Sequence, residues 1–66
     1  MLIVYPNLQA AMVNRGVTVS DLAKIIARSE EIVQLKLSGV REWTLLEAVT
    51  ICRHLMYPDF RKLFLR

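Results

Sequence analysis

The sequence predicts an all-α domain of five short helices, and three observations predict it. Apolar side chains recur at helical spacing in short stretches. Ser or Thr stands ahead of three of these stretches, and Gly or Pro closes three of them. The chain of 66 residues is expected to be a single domain with no internal linker, repeat or low-complexity segment.

Residues 1–4 are apolar and β-prone, but a lone strand has nothing in this chain to pair with. Residues 1–5 are therefore expected to be an N-terminal arm: free, covering the core, or one strand of an intermolecular pair. Pro6 then opens a helix over residues 7–14 that Arg15 and Gly16 end, with Leu8, Ala11 and Met12 as its apolar stripe. Thr18 with Asp21 three residues later is a capping box, and Leu22, Ala23, Ile25 and Ile26 form the buried side of the second helix. Ser29 caps the third helix, residues 30–37, which Ser38 and Gly39 stop. Thr44 with Glu47 is a second capping box, ahead of a periodic run to Met56 that Pro58 terminates. Asp59 starts a last turn or two through Phe60, Leu63 and Phe64.

Composition narrows the function classes. Hydrophobic residues make up 55% of the chain and charged residues 23%. A domain this small buries only roughly 60% of the surface its unfolded chain exposes, so part of that apolar share is expected to face a partner. The low net charge of +3 and the high apolar fraction exclude disorder. The longest apolar run, residues 1–5, is far below the roughly 18 residues a bilayer helix needs, and it lacks the flanks of a signal peptide. Cys52 has no second cysteine to pair with, so the expectation is a cytoplasmic domain held by packing or oligomerisation, without a disulfide or a metal. Nine Lys and Arg against six Asp and Glu is a weak pointer to nucleic acid.

No nucleophile and base pair, glycine-rich phosphate loop or paired-carboxylate arrangement is present, so an enzyme is not expected. Cys52 and His54 stand two apart on a helix and point about 200° from each other, which rules out a shared metal; no cofactor is expected. Cys52 falls within an apolar arc of Leu45, Ala48, Val49, Leu55 and Met56 and reads as a buried structural thiol, while His54 lies on the polar side. Trp43, just before a cap, is expected to pack as a hydrophobic staple.

Residues 18–39 carry the most information. A helix of about eight residues, a tight turn and a second helix of similar length have the dimensions of a helix-turn-helix. Ala23 supplies the small residue needed where the two helices cross, and Val33 the apolar plug from the second.

With these features the sequence resembles the phage Cro and repressor type of helix-turn-helix domain, the XRE or lambda-repressor-like family. The resemblance rests on Tyr5-Pro6-Asn7-Leu8, on Asp21-Leu22-Ala23-Lys24, on Lys36-Leu37-Ser38-Gly39 and on the stretch from Trp43 through Thr44, Leu45, Glu47 and Ala48 to Ile51. It implies a compact five-helix domain that binds double-stranded DNA as a homodimer and regulates transcription in a phage or mobile element. Helix 30–37 would enter the major groove, with Glu30, Glu31, Gln34 and Leu35 nearest the bases. Thr18 and Ser20 at the start of the second helix, and Lys36, Ser38 and Arg41 around the following loop, would meet phosphates. Lys24 and Arg28 are further cations nearby.

The sequence also departs from that pattern. Val19 stands where the family usually has Gln, Ser38 where it has Asn, and Arg28 where it has an apolar turn residue. Ala27 replaces the turn glycine, which makes a left-handed turn costly and favours a longer second helix. On a helical wheel Val33 and Leu37 face the core, while Ile32 and Leu35 fall roughly opposite, beside Glu30 and Glu31. Glutamates repel phosphates, and an apolar ridge bordered by charge is also what a protein interface looks like. The alternative reading is therefore a helix-turn-helix fold reused as a protein-interaction module, an antirepressor or inhibitor, whose partner meets Glu31, Ile32 and Leu35. For a dimer contact the candidates are the arm and Leu46, with Tyr57 and Phe60 from the C-terminal segment.

Overall fold

The computed structural model describes residues 3–66. Five helices follow in order: α1 Pro6–Arg15, α2 Val19–Ile26, α3 Glu30–Leu37, α4 Leu45–His54 and α5 Phe60–Leu63. The described residues contain no strand, and the domain is all-α with a helix-turn-helix arrangement of α2 and α3.

Local chemistry sets the helix ends. Pro6 occupies the first turn of α1, where a missing N–H costs nothing, and Gly16 takes the left-handed cap at φ 65°. Both capping boxes form: Thr18 and Asp21 exchange side-chain and backbone hydrogen bonds at α2, and Thr44 and Glu47 do so at α4. Ser29 Oγ accepts from the Ile32 N–H to start α3, and Asp59 caps α5 through the Arg61 N–H.

Each helix contributes one fully buried aliphatic side chain to a shared core: Leu8, Leu22, Val33, Ile51 and Leu63. Burial of such a side chain is worth about 1.5–3 kcal/mol. Ala23 is buried in the same cluster, and Ile25, Ile26 and Leu37 pack on it from the side. α2 lies against both α3 and α4, and α5 against α1 and α4. α3 approaches no helix except α2 at the level of the backbone.

One expectation is narrowed and three are corrected. Of the alternatives for residues 1–5, Val4 and Tyr5 follow the one that covers the core: Tyr5 is buried in the core, and Val4 packs beside it. Ile3 is exposed, while Met1 and Leu2 of the expected arm lie outside the described residues. Second, α2 does not run on through Ala27, which takes the left-handed conformation at φ 56° despite its Cβ. The Arg28 N–H then reaches back to the Ala23 carbonyl at 2.9 Å and closes the helix end. Third, α4 stops at His54. Met56 turns left-handed at φ 53° and the Tyr57 N–H bonds to the Cys52 carbonyl, while Pro58 disfavours helical backbone at Tyr57, the residue before it. Fourth, Leu45 and Met56, placed in the buried arc around Cys52, are both exposed. Cys52 itself is buried, its thiol donating to the Tyr57 carbonyl, and burial pushes that thiol up from its ordinary pKa, with the Asp59 charge adding to the effect.

Trp43 packs against two aromatic rings. Its centroid lies 5.3 Å from that of Phe64 and 6.4 Å from that of Tyr5, edge to face in both cases. Tyr5 and Phe64 complete the triangle at 6.1 Å. Each such pair adds about 0.5–1.5 kcal/mol beyond burial. The cluster ties the start and end of the chain to the loop between α3 and α4, where Arg66 also bridges the Tyr5 hydroxyl and Glu42.

Candidate functional site

The backbone of α3 approaches α2 alone among the helices, and the residues on its outer side are exposed or half-exposed. Val33 is its fully buried anchor, and Leu37 is half-buried against the core. Glu30, Glu31 and Gln34 are exposed, and Ile32 and Leu35 are half-exposed without joining the core cluster. The wheel therefore placed the apolar outer residues correctly, although each is partly covered.

Two different flanks border this surface. On the Ile32 side, Arg28, Ile32, Lys36, Arg41 and Glu42 line one concavity. Arg28 and Arg41 are both exposed there, one just before α3 and one just after it. On the Gln34 side, Gln34, Leu37 and Ser38 share a second, largely apolar concavity with Thr18 and Val19 at the start of α2 and with Ile3, Val4, Tyr5, Gln9 and Met12. The first-turn N–H groups of a helix have no helical carbonyl to bond, so the start of α2 offers donors at Val19 and Ser20. Ser20 is half-buried.

The expected phosphate-contact residues do not all remain available. The Thr18 N–H already donates to Asp21 Oδ2, and its hydroxyl accepts from the Asp21 N–H. Hydrogen bonds from the Thr18 backbone and side chain hold the Asp21 carboxyl below its ordinary pKa and keep a negative charge at the helix start. The Ser38 hydroxyl donates to the Leu35 carbonyl and its N–H to the Gln34 carbonyl, so both of its donors are engaged. The N–H groups of Gly39, Val40 and Arg41 likewise turn back onto Lys36 and Leu35. The Arg41 side chain, which is exposed and in none of the ion pairs among the described residues, stays available to meet an anion.

Lys36 is the clearest correction. Placed among the phosphate-binding cations by its position near the end of α3, it is buried, and its ammonium is paired with Glu47. The α3 wheel turns Lys36 toward α4 on the same side as Val33, and Trp43 covers it with the ring centroid 5.7 Å from Nζ. A buried cation needs a partner to offset its desolvation, and Glu47 supplies it. Lys24, by contrast, is exposed.

Glu47 was legible only as a capping residue. Its Oε1 accepts from the Thr44 N–H at 3.0 Å as well as from Lys36, and its Oε2 lies 3.5 Å from Arg28 Nε. Burial alone would raise this carboxyl. The Lys36 and Thr44 hydrogen bonds and the Lys36 charge outweigh that effect and hold it below the ordinary value. An N3 glutamate at the start of one helix and a lysine in the last turn of another gave no sign of being neighbours. The buried Trp43 Nε1 has no hydrogen-bond partner among the described residues.

Of the expected partner-facing residues, Leu46 is 77% exposed. Tyr57 and Phe60 are instead half-buried and pack against the core, so their rings first serve the monomer. Leu45, Val40 and Met56 are exposed apolar residues that had not been expected to face solvent. Among the described residues no group of three or more His, Cys, Asp and Glu side chains could hold a metal, and no helix is long and apolar enough to cross a membrane.

The site so defined is a helix-turn-helix whose second helix presents a mixed acidic and apolar surface, with Arg28 and Arg41 on one flank and a largely apolar concavity on the other. Comparison of the chain with models of known protein families, with curated proteins and with solved structures gave no match.

Proposed function

We propose that this protein is a helix-turn-helix DNA-binding regulator of transcription, of the phage Cro and repressor type, acting as a homodimer with α3 in the major groove. One observation carries the reading: the outer side of α3 is bordered by a flank suited to phosphates, where the exposed Arg28 and Arg41 line one concavity with Ile32. The phosphates of a duplex run along both edges of the groove, so the cations need not sit on the reading helix itself. The helix surface then faces base edges. Gln34 can pair with adenine, Glu30 or Glu31 can accept from a cytosine amine, and Leu35 can meet a thymine methyl. Exposed Leu45 and Leu46 at the start of α4 offer apolar surface for a second copy, which would place two copies of α3 on a palindromic site. The test is a mobility shift with pooled random duplexes at low salt, followed by sequencing of the bound fraction. A shifted, sequence-enriched fraction supports the reading, and no shift overturns it.

A specific observation favours a second reading. Lys36, the one basic residue of α3, is neutralised internally by Glu47, which leaves the outer surface with two carboxylates and two half-exposed aliphatic side chains. Such a surface suits a protein partner with a basic rim, and the protein would then be an antirepressor or inhibitor. Substituting Ile32→Lys and Leu35→Lys separates the two: added cations strengthen non-specific duplex binding, whereas capture of a protein partner is lost.

A further inference from the structure

The carboxylate of Glu47 gathers groups from both ends of α3. Lys36 lies in the last turn of that helix and Arg28 in the turn leading into it, yet both reach the same side chain on α4. Thr44, the cap of α4, donates to it as well. The backbone of α3 approaches α2 only, so these side-chain bonds connect α3 to α4 where backbone packing does not. The Lys36 and Glu47 side chains are enclosed to 7% and 8% exposure, whereas that of Arg28 remains 57% exposed. A buried ion pair adds little net stability over an apolar pair of the same shape, but it is directional and fixes the groups that carry it.

We propose that Glu47, acting through Lys36, is a positioning residue that sets the pose of α3 on the body of the domain. It holds the last turn of α3 against the start of α4, and so fixes the spacing of Glu31, Gln34 and Leu35 from Arg41 and from the first turn of α2. This rests on the reading of α3 as the binding helix. Lys36 thereby acts on the ligand without touching it.

The experiment compares the wild-type protein with the double variant Lys36→Met, Glu47→Gln. Methionine keeps an apolar stem against Trp43, and glutamine keeps the capping box, so both charges go while shape and cap stay. Amide hydrogen exchange of residues 33–38 is expected to become about tenfold faster in the variant, while Ile51, Cys52 and Leu55 exchange as in the wild type. Affinity for a random duplex is expected to fall about tenfold, with an unchanged dependence on salt. If α3 and α4 change together, or not at all, Glu47 is not a positioning residue. A salt dependence reduced by one phosphate contact would instead make Lys36 a direct ligand and overturn the proposal. If the wild-type protein binds no duplex, the DNA reading fails while the exchange comparison still decides the role of Glu47. Should the double variant not fold, carboxyl titration of the wild-type protein by NMR decides: amide resonances of residues 33–38 are expected to move with the midpoint of the Glu47 carboxyl, and the absence of a shared midpoint overturns the proposal.

Discussion

The ammonium of Lys36 lies against the carboxylate of Glu47, and both side chains are more than nine-tenths enclosed. Removing one partner leaves the other charged and buried. Lys36→Ala is therefore expected to lower stability by about 3–5 kcal/mol, against under about 0.5 kcal/mol for Lys24→Ala on the exposed side of α2. Urea denaturation of the two variants checks the contrast, and equal small losses would mean that Lys36 is solvated.

The same pair sets a pH dependence. The folded Glu47 carboxyl lies below its unfolded value of about 4.3, so between the two values the unfolded chain binds more protons than the folded one. Stability from this group is fully present above the unfolded value and is lost as pH falls through the folded one. Asp21, held down by its bonds to Thr18, acts in the same direction. Denaturation midpoints are expected to hold steady from about pH 7 to 5 and to fall below about 4.5. The fall should be shallower in the Lys36→Met, Glu47→Gln variant.

Ala27 holds a left-handed backbone at φ 56° with no side-chain bond to support it. That conformation costs an L-residue about 1–2 kcal/mol, and glycine avoids it at the expense of a larger unfolded-state entropy. Ala27→Gly is expected to stabilise the protein by about 0.5–1 kcal/mol, read as a raised denaturation midpoint. Destabilisation would mean that the Ala27 methyl group contributes packing.

Much of this architecture is legible in the sequence, because caps and periodicity act over three or four residues. Thr18 with Asp21, Ser29, and Thr44 with Glu47 mark the starts of α2, α3 and α4. Val33 against Ile32 and Leu35 separates the inner and outer sides of α3. What local reading misses depends on contacts between distant segments. Tyr5 enters the core through Trp43 and Phe64, residues far along the chain, so an apolar start looked like an arm. Lys36 looked like a surface cation because its partner is 11 positions away on another helix. Ala27 by itself favours a longer α2, but the tertiary turn into α3 imposes the left-handed backbone in spite of the residue's preference.

Salt dependence separates the candidate phosphate contacts. Arg41 is exposed and Lys36 is not. Arg41→Ala is expected to lower the slope of log affinity against log salt by about 0.9, the share of one phosphate. Lys36→Met is expected to leave that slope unchanged. Fluorescence anisotropy with a labelled random duplex at several salt concentrations gives both slopes, and a reduced slope for Lys36→Met would place its ammonium on the DNA.

The most direct test of α3 as a DNA-reading helix is sedimentation of the protein alone and with a random duplex at two salt concentrations. A homodimer that reads DNA through α3 sediments as a dimer in the absence of DNA, and as a protein–duplex complex at low salt that largely dissociates at higher salt. A protein that sediments independently of the duplex at low salt would contradict that reading.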